Sequence, residues 1–134
     1  MLSFLKQFIT ILPIFLLIDL TWLGLIMAKF YNDQLGTLAR RAGEALAPHW
    51  PSALLVYIAI PAGIALFVLP KATGHLDALF FGALFGLVVY ATYDLTNYAT
   101  LANWPLQLVI VDIIWGMVLC GAVALIASFI PFLK

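Results

Sequence analysis

The sequence predicts an all-α integral membrane protein, built as a transmembrane four-helix bundle with a short interfacial amphipathic helix between the first and second spans. Composition is the main reason. Of the 134 residues, 66% are hydrophobic and 9% are charged, whereas soluble domains contain about 25% charged residues. A chain with so few charged side chains cannot cover a water-facing surface, so we expect it to lie in a lipid bilayer.

The lengths of the apolar segments predict the number of spans. A helix needs about 20 apolar residues to cross the hydrocarbon core of a membrane. We predict a single transmembrane domain over residues 1–134, with spans at about 8–28, 50–69, 78–98 and 105–129. The first segment is too long for the apolar region of a signal peptide and contains Asp19, so we expect an uncleaved span.

The polar stretch between the first two spans predicts the interfacial helix, at about residues 33–47. Leu35, Leu38, Ala42 and Leu46 recur there at helical spacing, with polar and charged residues between them. A helix with one apolar and one polar face typically lies along the membrane interface. A solvated loop helix would show the same pattern, and both interpretations remain open.

Small residues at four-residue spacing mark where two spans can approach closely. Gly82 and Gly86 have this spacing in the third span, and Gly116, Cys120 and Ala124 have it in the fourth. Membrane helices pack tightly through such stripes. Cys120 is the only cysteine, so it can form neither an internal disulfide nor a metal cluster, and we interpret it as a packing residue.

Charge and motif content exclude several functional classes. The formal net charge is 0 and no basic run is present, so we expect no nucleic-acid partner. No nucleophile motif, phosphate-binding loop or dinucleotide fingerprint occurs, and we predict no cofactor. The spacing of His and Cys does not fit zinc or iron, and we assign no metal site, although carboxylate and amide oxygens would suit a hard cation.

Three acidic residues interrupt the apolar segments and are the best candidates for function. Asp19 lies in the first span, Asp94 near the end of the third and Asp112 in the fourth. Two of them share a local pattern, Asp19-x-x-Trp22 and Asp112-x-x-Trp115, which could record a duplicated two-helix unit. A carboxylate is costly in lipid unless it is hydrated, hydrogen-bonded or neutral, so each acid is a functional hypothesis by default.

In four antiparallel spans, the end of the third and the start of the fourth lie at the same membrane face. Aromatic and polar residues concentrate there, so we predict a one-sided cavity that binds a small polar or lipid-like ligand. The predicted ligand-binding residues are Asp19, Trp22, Tyr90, Tyr93, Asp94, Asn97, Trp104, Asp112 and Trp115. Asp112 is the strongest candidate because it lies deep in its span, whereas we expect Asp94 to be hydrated near the mouth.

The third and fourth spans contain no lysine or arginine that could pair with the acids. The carboxyl groups could therefore bind a cation, a proton or a polar head group. Alternatively, they could join the helices through hydrogen bonds to Tyr, Trp and Asn side chains, without any ligand. The sequence does not decide between the binding role and this structural role.

Several polar and aromatic runs resemble one known family. The runs are Tyr93-Asp94-Leu95-Thr96-Asn97-Tyr98, Asn103-Trp104-Pro105, Asp112 with Trp115-Gly116, and Asp19-Leu20-Thr21-Trp22-Leu23-Gly24. They are spread over most of the chain, and they resemble the bacterial family of predicted membrane proteins named DUF2177. The resemblance implies a small multi-span inner-membrane protein with no established activity, from a family whose members are often encoded near lipid-modifying enzymes.

Three functions remain open. The first is binding or transport of a small polar or amphiphilic ligand, with proton exchange at one acid. The second is an enzyme acting on a lipid or isoprenoid, with an Asp as general acid or base. The third is a non-catalytic partner that stabilises another membrane protein through Gly82, Gly86, Gly116 and Cys120. The chain could also form a two-fold homodimer, and we expect it in the bacterial inner membrane with both termini in the cytoplasm.

Overall fold

The computed structural model describes residues 1–133. In chain order, the elements are α1 (Leu2–Thr21), α2 (Ala28–Leu35), β1 (Arg41–Ala42), β2 (Ala45–Leu46), α3 (Trp50–Gly63), α4 (His75–Thr100) and α5 (Leu106–Ser128). A π-helical turn, Trp22–Ile26, continues α1, and another, Ile64–Val68, continues α3. Short 3-10 turns occupy Gly36–Leu38, Leu69–Lys71 and Pro131–Leu133.

Four helical segments are long and apolar enough to cross a membrane: Leu2–Ile26, Trp50–Lys71, His75–Thr100 and Leu106–Ser128. With the short helix α2 between the first two, they confirm the predicted all-α membrane fold. The first segment begins at Leu2 rather than near residue 8. A lysine such as Lys6 can extend its ammonium group to the membrane surface from within a helix, so it does not mark a helix start.

The connection between the first two spans differs from the prediction of one helix at about 33–47. The helix α2 ends at Leu35, and a 3-10 turn and the antiparallel hairpin of β1 and β2 follow. Gly36 and Gly43 have positive φ angles of 50° and 67°, a conformation that favours glycine and ends helices or forms tight turns. Apolar residues recur at helical spacing across both glycines. The sequence pattern therefore predicts a helix at about 33–47, whereas the observed helix α2 is Ala28–Leu35.

Arg41 holds α2 and the hairpin together. Its guanidinium group donates from Nε to the backbone oxygen of Gly36 (2.9 Å) and from Nη2 to that of Asn32 (3.0 Å). It also donates from Nη1 to the backbone oxygen of Glu44 (3.0 Å). Positive charge is favourable at the C-terminal end of a helix, and Gly36 follows directly on α2. The charge of Arg41 therefore stabilises the connection.

The helices α4 and α5 form a tightly packed antiparallel pair. A Cβ atom on Gly82 would lie 2.6 Å from the backbone oxygen of Cys120, and one on Gly86 would overlap the carbonyl group of Gly116. The predicted small-residue stripes therefore face each other within the chain. This contact corrects part of the third hypothesis: Gly82, Gly86, Gly116 and Cys120 are buried against their own chain and cannot contact a partner protein.

The apolar core has two parts. The larger part lies among the four spans and includes the fully buried Ile11, Phe15, Ile64, Leu119 and Val123. The smaller part packs α2 against the start of α5 and consists of Tyr31, Trp104, Leu108 and Val109. The second cluster fixes α2 over the half of the bundle that contains the acidic residues.

Candidate functional site

A cavity of about 500 Å³ lies in the half of the bundle that contains the three acids. It is lined by Asp19, Leu23, Ala53, Val56, Tyr57, Ala59, Ile60, Val89, Tyr90, Tyr93, Asp112 and Trp115. All four spans contribute to this wall. The volume falls in the range of small-molecule sites, which is about 300–1,000 Å³. Five predicted site residues are in this set (Asp19, Tyr90, Tyr93, Asp112 and Trp115), whereas Trp22, Asp94, Asn97 and Trp104 lie outside it.

Asp19 presents a carboxyl group to the cavity from α1. Its side chain is 4% exposed, and its Oδ1 accepts a hydrogen bond of 2.9 Å from Nε1 of Trp115. The hydroxyl group of Tyr57 faces the same carboxyl group. Two carboxylate oxygens together offer about four acceptor positions. These two donors therefore orient the carboxyl group and still leave it acceptor capacity for a ligand.

Asp112 is held by a residue outside the spans. The hydroxyl group of Tyr31, on α2, donates to Oδ1 of Asp112 (2.9 Å) and accepts from Nε1 of Trp22 (3.2 Å). Burial and the negative charge of Asp112 raise the pKa of Tyr31, so its hydroxyl group stays a donor over the physiological pH range. Asp112 itself is 9% exposed.

The two Asp-x-x-Trp patterns form one connected unit. The rings of Trp22 and Trp115 stack with centroids 4.3 Å apart and an angle of 5° between their planes. Trp115 of α5 donates to Asp19 of α1, and Trp22 reaches Asp112 through the hydroxyl group of Tyr31. Each tryptophan is therefore connected by hydrogen bonds to the aspartate of the other span: Trp115 directly to Asp19, and Trp22 through Tyr31 to Asp112. In part, the acids do join helices through hydrogen bonds to Trp and Tyr, as the structural interpretation predicts.

Asp94 is buried more deeply than predicted. Its side chain is 0% exposed, so the expectation of a hydrated residue at the cavity mouth is wrong. Asp94 follows Gly82, Gly86 and Tyr90 at four-residue spacing, which places it on the face of α4 that packs against α5. That packing removes it from water.

The carboxyl group of Asp94 contacts that of Asp112. Neither oxygen of Asp94 has a hydrogen-bond donor among residues 1–133. Ionised carboxyl groups are acceptors only, so the two can form a hydrogen bond only when one of them carries a proton. The two carboxyl groups therefore lie side by side next to the cavity, and that of Asp94 has no donor of its own among the described residues.

The remaining predicted residues support the cavity wall from outside. The ring of Trp104 packs edge-on against Tyr93, with centroids 5.9 Å apart and planes at 87°. The half-buried Asn97 faces the hydroxyl group of Tyr93. Nε1 of Trp104 is buried without an acceptor in the part of the chain that the structure describes. These two residues position Tyr93 and do not line the cavity.

Sequence reasoning missed Tyr31 and the contribution of α3. Met27, Phe30, Tyr31 and Leu35 form an apolar stripe at helical spacing, which could have indicated a helix that begins before residue 33. The lining residues of α3, such as Ala53 and Val56, look like ordinary lipid-facing residues in the sequence. No sequence pattern marks them as part of a cavity.

The cavity opens sideways between α3 and α4. The helix α3 packs on α1, whereas α4 packs on the end of α3, where Gly63 meets the ring of Phe85, and on the turns that follow, Ile64–Val68 and Leu69–Lys71. The two helices therefore diverge toward the acidic half of the bundle. Val56 and Tyr93, which line the cavity from α3 and α4, are 52% and 56% exposed. Both residues belong to helical segments that are long and apolar enough to span a membrane, so this side of the cavity is open at the outer surface of the bundle.

The lining residues include no lysine, arginine or histidine. Lys29 is exposed and pairs with Asp33, and Arg41 is bound to the connection. Among residues 1–133, no group of three or more His, Cys, Asp or Glu side chains is arranged to hold a metal ion. The cavity therefore combines carboxyl groups, aromatic rings and aliphatic side chains.

Four apolar spans with buried acids define a small multi-pass membrane protein. The family model of the predicted membrane proteins DUF2177 matches residues 4–129. The chain belongs to this family, which confirms the resemblance that its polar and aromatic runs show. Comparison with curated proteins and with solved structures gave no match.

Proposed function

We propose that the protein binds a small amphiphilic ligand that enters the cavity from the bilayer. The supporting observation is the polarity gradient of the cavity. Its inner end has the carboxyl groups of Asp19 and Asp112, which are 4% and 9% exposed, and its outer end has Val56 and Tyr93, which are more than half exposed. A ligand with a polar head and an apolar tail matches this gradient, because its head would contact the carboxyl groups and its tail would contact the apolar residues.

Proton exchange extends this proposal from binding to transport. Asp94 and Asp112 can share a proton only while their carboxyl groups stay in contact. A head group that binds Asp112 from the cavity competes with this contact and changes where the proton is held. The proposal therefore links ligand entry at Asp112 to proton release at the carboxyl pair.

An enzyme acting on a lipid is the alternative that uses the same site. Asp112 contacts a second carboxyl group and could transfer a proton as a general acid or base. Incubation of the purified protein with a panel of membrane lipids would distinguish the two functions. Chemical conversion of a lipid by the wild type, absent in Asp112→Asn, would favour the enzyme, whereas unchanged lipids that remain bound favour the binding protein.

The test of the proposal is to block the cavity. Ala59 lines it from α3, and Leu55, on the same helix, is 67% exposed and lies outside the lining. Mass spectrometry of lipids that co-purify with the wild type, Ala59→Trp and Leu55→Trp would compare the two positions. We expect a specific amphiphile with the wild type and with Leu55→Trp, and its loss with Ala59→Trp.

The same ligand content in folded Ala59→Trp and in the wild type would overturn the proposal. The location in the bacterial inner membrane and the two-fold homodimer remain predictions. Membrane fractionation of the native host would check the first, and crosslinking in native membranes would check the second.

A further inference from the structure

We propose that the head group recognised at Asp19 is a cation, so that the ligand is an ammonium-type amphiphile. This inference depends on the proposed function and names its ligand class. It is supported by three separate features of the cavity: its charge, the geometry of Asp19, and its aromatic walls.

The charge of the cavity is uncompensated. Asp19 and Asp112 line it and Asp94 lies directly behind Asp112, yet no lining residue is basic. Within residues 1–133, Lys29 pairs with Asp33 and Arg41 binds the backbone of the connection, whereas the exposed Arg40 does not line the cavity. A buried carboxylate needs a counter-charge or a proton. A cationic ligand supplies that counter-charge from inside the cavity.

The geometry of Asp19 prepares it for a ligand. Trp115 donates to Oδ1 from α5 and Tyr57 faces the same carboxyl group from α3, so the group is oriented from two sides. Both donors come from residues that also line the cavity. A carboxylate that is oriented before binding loses little conformational freedom when the ligand arrives, which favours binding.

The walls beside Asp19 are aromatic. Tyr57, Tyr90 and Trp115 all line the cavity together with Asp19. The face of an aromatic ring attracts a cation within about 6 Å, and the attraction increases when the cation loses water. An anionic head group would meet the same ring faces and carboxyl groups unfavourably. These aromatic residues therefore favour a cationic ligand over an anionic one.

The tail of the ligand has a separate path. The aliphatic part of the lining includes Ala53, Val56 and Ala59 of α3 and Val89 of α4. They lie where α3 and α4 diverge, so an alkyl chain can leave the cavity toward lipid while the head group stays at Asp19. A short-chain ammonium amphiphile satisfies both parts of the site.

The test compares three probes that share a ten-carbon tail: decyltrimethylammonium, decanoate and decanol. Equilibrium dialysis would measure their binding to the protein in nanodiscs, with protein-free nanodiscs of the same lipid as the background. The variants are Asp19→Asn, which keeps an acceptor for Trp115, and Asp33→Asn, which removes an exposed negative charge as a matched control. Wild-type protein alone discriminates among the three probes, so the test does not depend on the folding of any variant.

We expect saturable binding of decyltrimethylammonium that Asp19→Asn weakens at least about tenfold, because removing one partner of a buried charge pair is costly. Asp33→Asn should leave it unchanged, and decanoate should not bind. Equal binding of all three probes, blocked by Ala59→Trp, would overturn the cation assignment while retaining a lipid-accessible site. If none of the probes shows binding that Ala59→Trp blocks, both proposals fail.

Discussion

The helix α4 has two neighbours, α5 and α3, and the two contacts are built in opposite ways. Against α5, Gly82 and Gly86 leave no space for even one methyl group. Against α3, direct packing is found at its last residue, Gly63, where a Cβ atom would overlap the ring of Phe85, and at the turns that follow that helix. Beyond this point the space between the helices is a cavity of about 500 Å³.

This difference shows how a small membrane protein can keep a cavity open. The α4–α5 contact uses close approach of two backbones, which is the main source of helix association in lipid. The contact between α4 and α3 is less extensive, and α3 contributes residues to the cavity wall. The tightly packed pair positions Asp94, Asp112 and Trp115, while the separation of α3 from α4 leaves a cavity beside Asp112 and Trp115.

The largest effect is expected where the packing is tightest. The substitution Gly86→Ala places a methyl group into the carbonyl group of Gly116. Because backbone atoms cannot move aside as a side-chain end can, we expect a loss of about 3 kcal/mol in the free energy of unfolding. Unfolding in detergent, followed by circular dichroism, would measure this loss.

The matched control is Gly24→Ala, since a Cβ atom there would meet no atom within 4 Å. We expect its unfolding to resemble that of the wild type. If Gly86→Ala and Gly24→Ala unfolded alike, α4 and α5 would not be in close contact, and the comparison of the two sides of α4 would be wrong.

The second prediction concerns the hydrogen bond between Tyr31 and Asp112. Tyr31→Phe removes the donor from a buried carboxyl group, and hydrogen bonds to charged groups contribute about 1.5–3 kcal/mol. We expect a loss in that range. Tyr98→Phe, at an exposed tyrosine, is the control.

The pH dependence of this effect follows from the raised pKa of Tyr31. A tyrosine in an unfolded chain ionises near pH 10, and a folded-state pKa above that value means that the contribution of Tyr31 is fully present below pH 10. It is lost only as the pH rises further, through the folded-state pKa. Denaturation at pH 7 and pH 9 should give the same difference between wild type and Tyr31→Phe. A difference that disappears by pH 9 would contradict this assignment.

The third prediction concerns Asp94, which belongs to the tightly packed side. Asp94→Asn replaces a carboxyl group with an amide that donates to Asp112 without a shared proton. We expect a gain of about 1 kcal/mol in the free energy of unfolding. Unfolding in detergent, followed by circular dichroism, would measure this gain.

Asp33→Asn serves as the control for the charge change in Asp94→Asn, since Asp33 is exposed and pairs with Lys29 on the surface. We expect no measurable change in its stability. Destabilisation by Asp94→Asn would show that the amide does not donate to Asp112.

The spans could be predicted because their apolar lengths match the membrane, and α4 could be placed against α5 because glycine spacing records close approach. The connection could not be predicted in the same way. Gly36 and Gly43 are in conformations that favour glycine, and helical spacing contains no information on backbone angles. Tyr31 was missed for a different reason: the predicted helix began at about residue 33, although the stripe of Met27, Phe30 and Tyr31 could have indicated an earlier start.

The site was predictable where residues repeat a pattern. Asp19, Asp112 and Trp115 stand out because acids are rare in lipid and because the Asp-x-x-Trp pattern occurs twice. The burial of Asp94 depends on how α5 covers α4, and the cavity depends on where α3 leaves α4. The burial of Asp94 and the cavity both result from tertiary packing, which cannot be predicted from the sequence of one helix.

The smallest effect on stability is expected at the wall of the cavity, even though a bulky side chain is added there. Ala59 lines the cavity, so the additional carbons of Ala59→Leu enter open space and should change the free energy of unfolding by less than about 0.5 kcal/mol. Ala124→Leu makes the same change at a fully buried residue that faces Gly82, where overpacking costs about 1–3 kcal/mol. Unfolding of both variants in the same detergent would compare the two sides of α4 directly. Equal costs would mean that the space between α3 and α4 is filled by packed atoms, and the proposed ligand site would then have no room for a ligand.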